Sequence, residues 1–428
     1  MVVGLVSLVL NFTLVPKHGA GNEDNQEHAV AAEQAHNGDA HTNGHHEAAS
    51  GHHGSVDHAE HHDHQAANKP WARLLVNNFF FLAIALGALF FLAVQYAAQA
   101  GWSVVSLRVV EAISQFLIIP VLIMIVIAAL GFVHVHHVWH WMAEGIADPE
   151  SANYDEIIAG KTAFLNPVFF TIRAVVYLIG WVWAARMFRK LSILADGGDG
   201  ARLWKLKRRN AAVFIVFFAV TSSTMAWDWI MSIDTHWFST LFGWYTFAGM
   251  FVTAVTVITL LVIYLKMNGY LPELNQNHIH DLGKFMFAFS IFWTYLWFSQ
   301  YMLIWYSNIP EEVTYYMIRF KEFKGPFLTA LALNFLFPVL VMMSRDSKRN
   351  MYFVLVAGIG ILIGHWLDHF VMIMPGSVGI NWSIGLIDLG IFAFYAGLFI
   401  QVVFRSLSKA PLVPKHHPML HESKIFQL

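Results

Sequence analysis

The sequence predicts an all-α, polytopic integral membrane protein. It should hold about ten transmembrane helices, arranged as two related four-helix bundles plus flanking helices. Of its 428 residues, 57% are hydrophobic and only 13% are charged, where a soluble domain carries about 25% charged residues. Apolar stretches of roughly 18 residues or more recur along the chain, each long enough to cross a hydrocarbon core of about 30 Å. A β-barrel would instead show alternating segments of about ten residues.

Composition also excludes several chemistries. The formal net charge of −2 gives no suggestion of a nucleic-acid partner. Cysteine is absent, so the chain holds no thiolate-ligated iron–sulfur cluster, thiolate zinc site or disulfide. Any ligand to a cofactor must be His, Met or an oxygen group. The opening MVVGLVSLVLNFTLVP lacks the basic region of a cleavable signal.

In chain order, the first span covers 1–16 and is short for a full crossing. A polar loop at 17–73 follows, with twelve of the 24 histidines and too few large apolar residues for a packed core. A solvated linker is expected there, with a metal-capturing or proton-buffering tract as the alternative. The remaining spans are expected at 74–97, 104–133, 165–188, 210–232, 241–266, 284–307, 326–344, 352–374 and 384–404. Pro120 should kink the third. Lys and Arg collect after the fourth span (Arg189, Lys190, Arg202, Lys205, Lys207, Arg208, Arg209), after the eighth (Arg345, Lys348, Arg349) and in the tail (Arg405, Lys409, Lys415). By the bias of basic residues to cytoplasmic loops, all three regions and both termini are cytoplasmic. A weak internal repeat, with Asp228 near the end of the fifth span and Asp368 near the end of the ninth, divides the chain. The first bundle is 74–232 and the second 241–375, followed by a last helix at 384–405 and a tail at 406–428.

The most informative segment is GHWLDHFVMIMPG at 364–376. On a helix, His365, Asp368, His369 and Met372 form one stripe. A carboxylate at the centre of a membrane helix costs roughly 2.5–3.5 kcal/mol on insertion scales, so its presence there points to proton handling. The predicted outer half of the membrane also collects His134, His136, His137 and His140, Arg173, Asp228, Asp234, His236, Gln300 and Asp388. If the third helix continues through its histidines, His136 and His140 share a face. Such groups suit oxidation of a quinol, whose two hydroxyls each release a proton to a nearby His or Asp. Glu111 and His365 could extend the cluster into a path across the membrane. Structural readings stand beside these: Arg173 pairing with Asp228 or Asp368, Arg108 pairing with Glu111, and interfacial histidines capping a helix end. Haem ligation by a His-x3-His pair lacks a matching pair on a second helix.

WDWIMSIDTHWFSTLFGWYTFAG (227–249), HDLGKFMFAFSIFWTYLWFSQYMLIWYSNIPEE (280–312) and HWLDHFVMIMPG (365–376) resemble, in that order, the large membrane subunits of alternative complex III. That assembly is a bacterial quinol:electron-acceptor oxidoreductase, and these subunits are similar to the polysulfide-reductase membrane-anchor family. The resemblance runs from about Arg73 to Arg405. The extra N-terminal helix and polar loop look more like the second of two related subunits, the F-type subunit. The resemblance implies the bacterial inner membrane, a quinol such as menaquinol, and no cofactor bound by this chain. Iron–sulfur clusters and haems c would sit on partners: an iron–sulfur protein, multihaem cytochrome c subunits and a homologous quinol-binding membrane subunit, all among lipids. It carries a site environment onto His137, His140, Asp228, Asp368 and His369, with Glu111, Arg173, His365 and Asp388 as a proton path. The alternatives are a scaffold without an occupied quinol site and, less favoured, an ion or metal transporter.

Overall fold

The computed structural model describes residues 1–13 and 54–427, so most of the expected polar loop lies outside the described residues. The chain is all-α, and no strand occurs among the described residues. Its principal helices are α1 (Val2–Thr13), α2 (Gly54–Ala97), α3 (Leu107–Ser114), α4 (Ile118–Phe132), α5 (Pro167–Ala195), α6 (Gly200–Trp229), α7 (Phe242–Met267), α8 (Gln276–Ser307), α9 (Pro310–Lys321), α10 (Lys324–Leu331), α11 (Phe337–Met342), α12 (Met351–Val378) and α13 (Leu386–Leu407).

Among the described residues, eight helical segments are long and apolar enough to cross a membrane: α2, α3–α4, α5, α6, α7, α10–α11, α12 and α13. The sequence predicts ten. The other two are α8, whose 32 residues include His278, His280, Asp281 and Lys284 in the first turns, and α1, with 12 residues. At 1.5 Å per residue α1 spans only about 18 Å.

Helix ends follow from capping chemistry. Asn166 accepts from Phe169 N–H at 2.8 Å and is followed by Pro167, so α5 starts there. Asn275 accepts from the N–H groups of Asn277 and His278, and the His278 ring accepts from Asn275 N–H, closing a capping box on α8. Proline sets the irregular turns. Pro120 cannot donate to the carbonyl of Phe116, and the helix tightens to a 3₁₀ turn at Gln115–Leu117 between α3 and α4. Pro338 likewise leaves the carbonyl of Asn334 without its usual donor, and a π-helical turn, Ala332–Leu336, joins α10 to α11.

Two sets of helices result. In the first, α2 packs on α3, α4 and α6, and α5 packs on α4 and α6. In the second, α7 packs on α8 and α12, α10 and α11 on α12, and α8 on α11. The sets meet where α2 lies against α7 and α12, while α1 lies along α13. The most apolar window of α2 is 89% buried and that of α13 only 28%, so α2 is central and α13 peripheral. The α2–α7 approach needs Gly87, where an added Cβ would stand 2.7 Å from both the Ala254 Cβ and the Met250 carbonyl oxygen.

The expected boundary at residue 73 falls too late. Asn68 and Arg73 are already buried in α2, Asn11 donates to the Pro70 carbonyl at 3.0 Å, and Asn68 donates to that of Ser377 at 3.2 Å. The amide of Asn68 bonds Ser377 at the end of α12 and the N–H of His137, and the guanidinium of Arg73 meets Asn11 on α1, Ser383, and Asp388 on α13, which holds this polar stretch in the fold. At the opposite end of the bundles the C-terminal tail runs across both sets. Lys415 N–H donates to Asp196, the Ser423 hydroxyl donates to the Trp102 carbonyl at 2.7 Å, and Asn275 donates to the Phe426 carbonyl at 2.7 Å. We call this the tail end, and the end formed by 133–166 and α9 the cap end.

Candidate functional site: a buried carboxylate in the second bundle

Helix α12 buries its polar stripe completely: His365, Asp368, His369 and Met372 are all inside the protein. Asp368 is met by neutral donors. The Tyr245 hydroxyl of α7 donates to Oδ1, and the Trp293 indole of α8 donates to Oδ2 at 3.2 Å. His365 Nδ1 lies 3.8 Å from Oδ2. The Trp293 ring stands edge-on to the His365 imidazole, with centroids 5.3 Å apart. Gly249 leaves room for both; a Cβ there would be 3.5 Å from His365 Nδ1 and from the Trp293 ring.

Several polar atoms in this bundle are buried without a hydrogen-bond partner: both ring nitrogens of His365, both amide atoms of Asn334, Ser290 Oγ, Thr246 Oγ1 and Gln300 Oε1. Buried polar groups are nearly always satisfied, by protein or by ordered water; the first bundle has such atoms too, at Gln95 Oε1, Arg108 Nη1 and Arg173 Nη1. Asn334 belongs to the π-helical turn, a device often found at functional sites. His369 turns the other way. Its Nδ1 bonds the His365 carbonyl at 2.5 Å, and its ring packs on Phe79 and Phe80 of α2. Toward the cap end, Asp234 pairs with Arg319 at 3.2 Å, Arg319 lies 3.3 Å over the Tyr315 ring, and Gln300 donates to the Tyr316 hydroxyl at 3.3 Å.

The corresponding acid of the first bundle is placed differently. Arg173 grips Asp228 through two bonds, of 2.8 and 2.6 Å, and the Tyr177 hydroxyl adds a third at 2.9 Å. The guanidinium also lies over the rings of Phe164 and Phe169, 4.0 and 4.2 Å from their centroids. Neutralising Asp228 would strand a buried cation, at a cost of about 3–5 kcal/mol. Among the described residues, Asp368 has no arginine or lysine beside it; its bonded donors are the Tyr245 hydroxyl and the Trp293 indole.

Glu111 lies in a third cluster at the tail end of the first bundle. It accepts from Tyr96 at 2.9 Å and from Arg189 at 3.0 Å, and Arg108 approaches to 3.7 Å. Arg108 also pairs with Asp196 at 2.8 Å. The sequence reading took Lys207 for one more exposed loop cation. It is instead buried, 4.9 Å over the Tyr96 ring, while Lys205, Arg208 and Arg209 are exposed. The helix extending back to Gly200 was the missing signal, since it turns Lys207 inward. No hydrogen bond or ion pair among the described residues links Glu111 to His365, so the two do not form one continuous chain of contacts. Asp388 pairs with Arg73 at 3.0 Å and caps α13 through Gly385 N–H at 2.9 Å.

The four histidines after the third span do not share a helical face. Helix α4 ends at Phe132 and His134 takes a left-handed conformation, φ +56°. His136 is buried, bonded to the Ile127 carbonyl at 2.9 Å and packed on Trp71; burial holds its imidazole below the usual range. The backbone N–H of His137 donates to Asn68 at 2.8 Å, and His140 is exposed in a 3₁₀ turn. His137 and His140 are thus placed at the cap end, Asp228 in the first bundle, and Asp368 and His369 in the second. Further out, the His236 ring meets Asp155 at 2.6 Å. Burial works against the charge on Asp155, but the N–H of Ile158, the His236 ring and the N–H of Ile157 outweigh it and hold the carboxyl below its ordinary range. Among the described residues, no three His, Asp or Glu converge to hold a metal ion.

No family model matches this chain, and no curated protein matches it.

Proposed function

We propose that this protein is a membrane subunit of a quinol:electron-acceptor oxidoreductase of the alternative complex III kind, and that its own part in the reaction is to carry protons. The observation that supports this is Asp368: a carboxylate buried in a membrane bundle, held by a tyrosine and a tryptophan with no cation bonded to it, beside an imidazole with both nitrogens unpartnered. Oxidation of a quinol gives a quinone, two electrons and two protons. The electrons pass to redox centres on partner subunits, and the ring is oxidised chiefly in the homologous membrane subunit. Asp368 takes up a proton with Tyr245 and Trp293 holding its orientation, and His365 exchanges that proton with water in the bundle interior. Both termini face the cytoplasm of a bacterial inner membrane, by the distribution of Lys and Arg.

The test is Asp368→Asn, alone and together with His365→Phe, in the assembled complex. Assembly should persist, while quinol-dependent turnover or its coupled proton release falls, by the 10²–10⁴-fold range typical of a lost acid–base group if proton transfer limits the rate. Normal turnover and proton release would remove the proposal. The sealed Arg173–Asp228 pair favours a scaffold role for the first bundle. An azido-quinone that labels the homologous subunit and never this chain would extend that role to the whole protein.

A further inference from the structure

We infer that the outer face of α6 binds the headgroup of an anionic phospholipid. Arg202, Lys205 and Arg209 fall at i, i+3 and i+7, on one stripe of the helix. With Leu203, Leu206 and Asp199 they line an open concavity along this one helix. Three cations against one acid leave the concavity positive. The same stripe continues down the helix as Val213, Val216 and Val220, which are 68%, 68% and 62% exposed. A cationic patch at the helix end, running directly into an exposed apolar ridge, matches a phospholipid lengthwise: phosphate above, acyl chain below.

The register makes this more than a solvated basic loop. Lys207, between these residues in sequence, turns into the protein over Tyr96, whereas Arg202, Lys205 and Arg209 point out around one concavity. Neighbouring α5 adds exposed Arg186 and Lys190 above exposed Trp183 and Ile179, repeating the order of charge then apolar surface. Basic residues at a membrane surface attract anionic headgroups with about 1 kcal/mol each, or roughly fivefold in affinity.

The full chain, purified in neutral detergent, is titrated with phosphatidylglycerol or phosphatidylcholine, and bound lipid is counted by native mass spectrometry. Three proteins are compared: the wild type, Arg202→Gln/Lys205→Gln/Arg209→Gln, and a control of equal charge change at exposed positions elsewhere, Lys321→Gln/Lys324→Gln/Lys409→Gln. The wild type and the control should retain phosphatidylglycerol over phosphatidylcholine, and the α6 variant should bind it about a hundredfold more weakly. Equal retention by the α6 variant, equal loss in the control, equal retention of phosphatidylcholine, or displacement of the lipid by millimolar inorganic phosphate would each overturn the inference.

Discussion

Two aspartates show how neighbours decide what a buried acid can do. Asp228 lies in the last turn of α6 and Asp368 ten residues before the end of α12, and each accepts from a tyrosine. Arg173 pairs with the first through two bonds, while the second is met by the Tyr245 hydroxyl and the Trp293 indole, neither of them a cation. Asp228→Ala should therefore destabilise the protein by about 3–5 kcal/mol, because Arg173 remains buried and unpaired. Thermal unfolding in detergent would show it, and Asp368→Asn, which keeps its shape and strands no cation, should cost much less. At the tail end, burial and the charges of Lys207 and Arg108 push the His417 imidazole down to about 3, from an ordinary value of about 6.5. Its ring packs on Trp204 and His416 lies beside it. The docked tail thus binds fewer protons than the free tail between these values. Docking is at full strength above about pH 6.5 and weakens as pH falls toward 3. Hydrogen-exchange protection of 415–424, measured relative to the intrinsic rate at each pH, should fall between pH 7 and 5, and His417→Phe should flatten that dependence.

At the scale of elements, glycine and proline set the helix contacts. Gly87→Ala would drive a methyl group to 2.7 Å from Ala254 and from the Met250 carbonyl, prying α2 from α7. The expected cost is about 1–3 kcal/mol of overpacking, read as a lowered unfolding temperature. Most of the helices were legible in the sequence because long apolar runs and capping residues act locally. The 104–133 expectation ends within a residue of α4, and 241–266 nearly coincides with α7. Polar helix ends were harder to read. Helices α2, α6 and α8 all reach back into segments that hydropathy assigns to water, since Asn68, Lys207 and His278 find tertiary partners there. The four histidines at 134–140 misled for the opposite reason. Their spacing suits a helix, but the chain turns left-handed at His134.

Across the whole molecule, the two helix sets surround their buried acids with different partners. Cations close the polar groups of the first set, at Asp228 and at Glu111. Orphaned polar atoms occur in both sets, at Gln95, Arg108 and Arg173 in the first and at His365, Asn334 and Ser290 in the second, but at Asp368 no arginine or lysine among the described residues pairs with the acid. The sequence made the polar stripe of α12 legible, because a carboxylate in an apolar run stands out. It could not assign partners, which come from helices more than a hundred residues away in the case of Tyr245. Redox-induced infrared difference spectroscopy on the assembled complex reads the protonation of that carboxylate directly. A carboxyl C=O band should appear or shift when quinol is oxidised and should vanish in Asp368→Asn. A band that survives in Asp368→Asn, or its absence from the wild type, would contradict a proton-carrying role for Asp368.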